Sequence, residues 1–101
     1  GSTIDQRATI SAGATLGTEV HIDRDDFIGE NVLIGNRVLN DRQTTIQIGA
    51  KIGDDVSIGR NCDIGAGAEI GTGAQLGKNV TVSPGAAVPA DTTVAAGSTI
   101  Y

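Results

Sequence analysis

Large side chains are scarce in this chain. Phe27 and Tyr101 are the two aromatics among 101 residues, and tryptophan and methionine are missing altogether. A conventional two-layer core needs large side chains to fill the space between packed elements, so burial by Ile, Val, Leu and Ala alone points to a narrow, repetitive core. No apolar run approaches the roughly 20 residues that span a bilayer, and no signal-peptide pattern is present. One cysteine, Cys62, cannot close an internal disulfide, and a reducing, cytoplasmic setting is the expectation. One histidine, His21, leaves no set of three imidazoles for a catalytic zinc. Basic residues number 7 against 12 acidic, for a net charge of −5, which argues against non-specific binding to nucleic acid or anionic lipid. Gly1-Ser2 reads as a scar of tag cleavage from a longer parent, with a single domain over 3–101.

What is present is a period. Stepping by six from Ile4 meets Ile10, Leu16, Ile22, Ile28, Ile34, Asn40, Ile46, Ile52, Ile58, Ile64, Ile70, Leu76, Val82, Val88, Val94 and Ile100. Asn40 alone is not a branched aliphatic, and the frame never slips. Two residues before each lies a small or β-branched residue, such as Ala14, Val32, Val56, Cys62, Ala68 and Val80, with Asp26 the clear exception. Three residues before lie Gly13, Asp25, Asn31, Gly49, Asp55, Asn61, Gly67, Gly73, Asn79, Gly85, Asp91 and Gly97, the residue types that most readily take left-handed backbone. A short extended stretch followed by a sharp corner is the local structure, and neither a helix nor a simple alternating strand has this beat. Three hexads close a triangle of 18 residues, and stacking strands at about 4.8 Å builds a prism of five to six coils, about 27 Å tall.

The units Ile52-Gly53-Asp54-Asp55-Val56-Ser57, Ile58-Gly59-Arg60-Asn61-Cys62-Asp63 and Ile64-Gly65-Ala66-Gly67-Ala68-Glu69 resemble the hexapeptide transferase repeat. The resemblance implies an all-β, single-stranded left-handed parallel β-helix and a homotrimer. It also implies acyl transfer, from acyl-CoA as cosubstrate to the hydroxyl or amine of a sugar or other small metabolite. In such acyltransferases a histidine serves as general base, which requires a group with an ordinary pKa near about 6.5 within hydrogen-bond reach of the acceptor. His21 is the one candidate. The segment Val88-Pro89-Ala90-Asp91-Thr92-Thr93-Val94-Ala95-Ala96-Gly97 resembles the last coil of these enzymes, which places Ala96 and Gly97 near the coenzyme. Ser98 stands where that pattern has proline.

The 18-residue coil sorts side chains into columns. Arg24, Arg42, Arg60 and Lys78, four of the seven basic residues, fall in one. Asp5, Asp23 and Asp41 fall in the next. One reading is a ladder of exposed ion pairs, each of small worth. The other is a strip that attracts the phosphates of a ligand such as coenzyme A. Three carboxylates beside arginines make a poor calcium site, and no metal is expected.

Asp26 and Asn40 break the inward pattern close together, with Asp26 under Thr44 and Ile22 under Asn40. A buried polar group without a partner costs a few kcal/mol. Mutual hydrogen bonding would meet that cost, as would a bulge or short loop over 38–45 that carries Asn40 to water. The third reading is a functional pocket, with His21, Asp26 and Asn40 as candidate catalytic residues. Phe27, Leu33 and Leu39 point outward on successive faces, so they cannot form one patch on a monomer, though they and Ile48 could meet copies of themselves around a threefold axis.

Acyl transfer therefore stands beside a second reading, a non-catalytic trimeric module that is either a scaffold or the repeat portion of a larger enzyme. The regular frame, the short length and the lack of a C-terminal helix favour the second. A γ-class carbonic anhydrase needs three histidines. An ice-binding face needs a two-column threonine array, whereas Thr3, Thr9, Thr15, Thr45, Thr81, Thr93 and Thr99 divide among three columns.

Overall fold

The computed structural model describes Thr3, Ile4 and residues 7–101. Asp5 and the Gly1-Ser2 pair lie outside the described residues. Seventeen two-residue strands follow one another, with no helix among the described residues. The first sheet stacks β1 (Thr3–Ile4), β4 (His21–Ile22), β7 (Leu39–Asn40), β10 (Ser57–Ile58), β13 (Gln75–Leu76) and β16 (Thr93–Val94). The second stacks β2 (Thr9–Ile10), β5 (Phe27–Ile28), β8 (Thr45–Ile46), β11 (Asp63–Ile64), β14 (Thr81–Val82) and β17 (Thr99–Ile100). The third stacks β3 (Thr15–Leu16), β6 (Leu33–Ile34), β9 (Lys51–Ile52), β12 (Glu69–Ile70) and β15 (Ala87–Val88). All pairs are parallel, and each residue lies over the one 18 positions earlier, as His21↔Leu39 and Ile22↔Asn40 show. The long axis of 28 Å agrees with the five to six coils read from the period.

Each strand turns one residue out and one in. The aliphatic frame fills the interior, from Ile22, Ile28 and Ile34 up to Val88 and Val94. The small residues two positions earlier, Val20, Ala50, Val56, Ala68 and Val80 among them, pack beside it at the corners. Backbone hydrogen bonds run coil to coil along the sides, as from Thr45 N to Cys62 O at 2.9 Å, and at the corners too, as from Asn79 N to Arg60 O at 2.9 Å. Successive coils are thereby tied together along both sides and corners, which satisfies groups that a buried turn would otherwise strand.

Every corner has a residue with positive φ at its third position. Twelve are the Gly, Asn and Asp positions read from the sequence; the other four are Arg7, Glu19, Arg37 and Gln43, with φ of 58–62°. A side chain with a Cβ in this region costs roughly 1–2 kcal/mol, and these four lack the short polar group that lowers it. The stack imposes the conformation: Gln43 N donates to Arg24 O at 3.1 Å and Arg37 N to Thr18 O at 2.8 Å. Gln43→Asn keeps that bond and relieves the corner. It should raise stability by about 0.5–1 kcal/mol, or a melting temperature by roughly 4 °C, readable by thermal unfolding. An unchanged or lower melting point would show that the corner is not strained.

The excursion that the sequence allowed over 38–45 does not occur. β7 pairs in register with both β4 and β10, and Asn40 is fully buried in line with Ile22 and Ile58. Polar as it is, Asn40 cannot escape to water without breaking four rungs around it, so the ladder holds it inside.

Candidate functional site

The three corners of the triangle differ in chemistry. The corner between the second and third sheets carries mostly small, uncharged residues, such as Ala12, Gly49, Ala66, Gly67 and Gly85. The corner between the first and second sheets carries the charge. Arg24, Arg42, Arg60 and Lys78 stack there, one per coil, and Ala96 caps the same column with Gly97 beside it. Their backbones are clamped, since the carbonyls of Arg24, Arg42, Arg60 and Lys78 each accept an N–H from the next coil at 2.9–3.2 Å. Arg24, Arg60 and Lys78 are exposed, and Arg42 is half-buried. Two separate sequence signals, the basic column and the C-terminal segment, thus meet on one edge.

The expected ladder of Asp–Arg pairs along this edge takes another form. Asp23 Oδ1 and Asp41 Oδ1 accept, at 2.8 Å, the backbone N–H groups of Arg24 and Arg42. Ion pairs form in the left-handed columns instead, between Arg7 and Asp25 at 3.0 Å and between Arg37 and Asp55 at 2.6 Å. Positive φ throws these side chains outward over the residue 18 positions on, where a guanidinium reaches a carboxylate directly. Among the described residues no three His, Cys, Asp or Glu side chains converge to hold a metal.

His21 is half-buried on the outer face of the first sheet, beneath Leu39 and three residues before Arg24. Asp26 and Asn40 lie on the other side of the backbone. Asp26 is 1% exposed and Asn40 0%. The carboxylate of Asp26 bridges two coils, with Oδ1 accepting from Thr44 N at 2.8 Å and Oδ2 from Asp23 N at 2.9 Å. Burial pushes its pKa up to about 7; the two N–H groups oppose the shift, and the charges of Asp23 and Asp41 add to it. Above it Thr44 Oγ1 donates to Gly59 O at 2.9 Å, and the Cys62 thiol, whose pKa burial also raises, donates to Gly77 O at 3.0 Å. The expected bond between Asp26 and Asn40 is absent: both side-chain polar atoms of Asn40 lack a protein partner. The structure therefore does not gather His21, Asp26 and Asn40 into one pocket. A group that acts on a substrate must reach it, and Asp26 and Asn40 are sealed inside, opposite His21.

Among the grooves on the surface of the described residues are two shallow ones, and neither borders the basic column. One of about 510 Å³ crosses the third sheet past Leu33, Lys51, Glu69, Ala87 and Pro89. The other, of about 460 Å³, lies against Phe27, Ile48, Glu30 and Gln47. Phe27 and Ile48, 44% and 50% exposed, share one groove on a single chain, whereas Leu33 and Leu39 do not line it. Ile48 sits at a corner, where direction does not follow the strand alternation, so the period alone does not place it beside Phe27. Among the described residues no helix is long and apolar enough to cross a membrane.

Comparison with known proteins agrees with the geometry. Residues 42–72 match the family described as bacterial transferase hexapeptide (six repeats). A search of curated protein sequences gave no match. Among solved structures, a mutant GDP-perosamine N-acetyl transferase from Caulobacter crescentus, in complex with CoA and GDP-perosamine, superposes with a TM-score of 0.93 at 24% identity, over 99% of this chain and 49% of that one. The acetyltransferase domain of PglB from Neisseria gonorrhoeae does so with a TM-score of 0.84 at 23% identity, over 97% of this chain and 50% of that one. The same domain with acetyl coenzyme A gives 0.83 at 23% identity, over 91% and 47%. The chain spans about half the length of these solved structures, and at such identities the likeness is one of fold. Residues 42–72 thus match the hexapeptide repeat, and the chain shares the left-handed parallel β-helix fold of these solved acetyltransferases.

Proposed function

We propose that this β-helix belongs to an acyl-CoA-dependent acyltransferase that acts on a hydroxyl or amine of a sugar or other small metabolite, working as a cytoplasmic homotrimer. The observation that carries the reading is the single edge on which the basic column, Ala96 and Gly97 coincide, with His21 on the adjoining face. Solved neighbours that hold CoA, acetyl coenzyme A or GDP-perosamine support it. A convex edge gives phosphates access but walls them on one side only. A second copy would supply the other wall, and outward Leu39, beside His21, offers apolar surface for that contact.

The chemistry follows from the groups present. The basic column holds the phosphates of the donor by charge-assisted hydrogen bonds. His21 takes the proton from the acceptor as its oxygen or nitrogen attacks the thioester carbonyl. The tetrahedral intermediate then expels the thiolate of CoA, which receives that proton from the imidazolium. Asp26 acts on the coil that carries His21 through the backbone N–H of Asp23, not on the substrate.

Calorimetric titration of CoA into the protein tests the reading. Binding in the range of enzyme substrates, from about 1 μM to 1 mM, is the expected result. His21→Ala should leave that binding in place and lower turnover about a hundredfold in a thiol-release assay. Unchanged turnover removes His21 from the mechanism, and no heat of CoA binding favours the non-catalytic module.

A further inference from the structure

The outward columns of the three sheets differ in charge. On the first sheet His21, Leu39, Ser57 and Gln75 follow one another, and on the second Phe27, Thr45, Asp63 and Thr81; neither column carries charges of both signs. The third sheet presents Thr15, Leu33, Lys51, Glu69 and Ala87, with Lys51 and Glu69 on adjacent rungs, β9 and β12. Both charged side chains are exposed, and Leu33 is 46% exposed. Neither Lys51 nor Glu69 has a side-chain ion pair or hydrogen bond among the described residues, where the ion pairs lie at the corners, Arg7 with Asp25 and Arg37 with Asp55. The same groove that holds the two charges is lined by apolar Leu33, Ala87, Pro89 and Ala90. In the triangular section this sheet faces away from the corner between the first and second sheets, so a partner on it leaves the basic column open.

We propose that the outer face of the third sheet joins two copies of this chain about a twofold axis that runs along the strands, midway between the rungs of Lys51 and Glu69. The inference stands apart from the acyl-transfer reading. Such an axis turns one β-helix upside down against the other and keeps the two faces opposed. Each rung below the axis then meets the equivalent rung above it. Lys51 of each copy faces Glu69 of the other, and Leu33 faces Ala87. Two reciprocal ion pairs form, and the large Leu33 packs on a small residue that Pro89 and Ala90 flank with further apolar surface. A twofold contact requires this kind of self-complementary patch. The other twofold that opposes the faces runs along the helix axis. It would set Lys51 on Lys51 and Glu69 on Glu69, and like charges across an interface oppose it. The molecule is 28 Å long and 20 Å wide, so two such faces bury on the order of 1,000 Å² together, the low end for a specific contact. The association is therefore weak and depends on concentration.

Sedimentation equilibrium of the full chain, from micromolar to millimolar concentration, tests the contact. The mass of the basic unit, whether one chain or a threefold assembly, should double as concentration rises. Lys51→Glu and Glu69→Lys each turn both reciprocal pairs into repulsions, and each should weaken the doubling about tenfold. Both substitutions together exchange the signs and restore the two pairs, so the double variant should associate within about threefold of wild type. Because both side chains are exposed, the substitutions leave the core intact. A mass that never doubles, single reversals that associate as wild type does, or a double variant as dissociated as the singles would each overturn the twofold contact. CoA binding is a separate measurement, so the acyl-transfer reading stands or fails independently.

Discussion

Asn40→Val raises the unfolding free energy by about 3 kcal/mol, which for a domain of this size moves the melting temperature up by roughly 10–20 °C. Two contributions have the same sign. The amide of Asn40 is fully buried and neither of its polar atoms meets a protein partner, and an unsatisfied buried polar group costs about 1–3 kcal/mol. Its replacement adds the burial of an aliphatic side chain, about 1.5 kcal/mol. The site already accepts that shape one coil above and one coil below, where Ile58 and Ile22 occupy the same column. Overpacking, which costs about 1–3 kcal/mol when methylenes are forced into a full core, is avoided by valine, the smallest aliphatic of the frame. Chemical denaturation read by circular dichroism gives the difference. A variant no more stable than wild type would mean that the amide is satisfied after all and that the frame is not interrupted here.

The interruption at Asn40 also shows where sequence reasoning stops. The period placed every inward aliphatic and every vertical neighbour, because an 18-residue coil repeats one geometric constraint many times and a single slip would invert the faces. The same constraint explains the corners that the sequence did not mark. Arg37 and Gln43 have no preference for left-handed backbone, yet coil-to-coil hydrogen bonds hold them in it, and Arg7 and Glu19 take the same conformation. Local propensity yields to the stack. The site was legible only as columns. That Arg24, Arg42, Arg60, Lys78 and Ala96 share an edge is arithmetic on the repeat. That Asp26 braces Asp23 and Thr44 rather than Asn40, or that Arg37 reaches Asp55, depends on a few ångströms of side-chain reach, which a period does not encode. His21 and Asn40 lie on paired strands of one sheet, but strand alternation sets them on opposite faces.

Asp26 makes the protein less stable as pH rises from 5 to 8, by roughly 3 kcal/mol, and substitution of this one residue abolishes most of that slope. In the unfolded chain an aspartate titrates near about 3.9. In the fold, burial raises Asp26 to about 7. Between those values the native state holds a proton that the unfolded state has released, so stability falls with increasing pH. The contribution is complete below the unfolded value, declines through the window, and is lost once pH passes the folded value. Asp55 has the opposite sign, since the hydrogen bond from Arg37 lowers its pKa and its contribution fades only as pH falls into the acid range. Unfolding midpoints at pH 5 and pH 8 therefore report on Asp26 with little interference from Asp55. Asp26→Asn should flatten the profile, although its amide sets a donor against one of the two N–H groups that the carboxylate now accepts and lowers stability at every pH. Asp26→Thr avoids that conflict. Thr44 and Cys62, the next two residues of the column, donate to the carbonyl 15 positions on, at Gly59 and Gly77, and a threonine at 26 should donate in the same way to Asp41 O. Its stability should then be independent of pH across the window. A slope that survives in both variants would assign the titration to another group and leave Asp26 charged within the fold, stabilised outright by the N–H groups of Asp23 and Thr44.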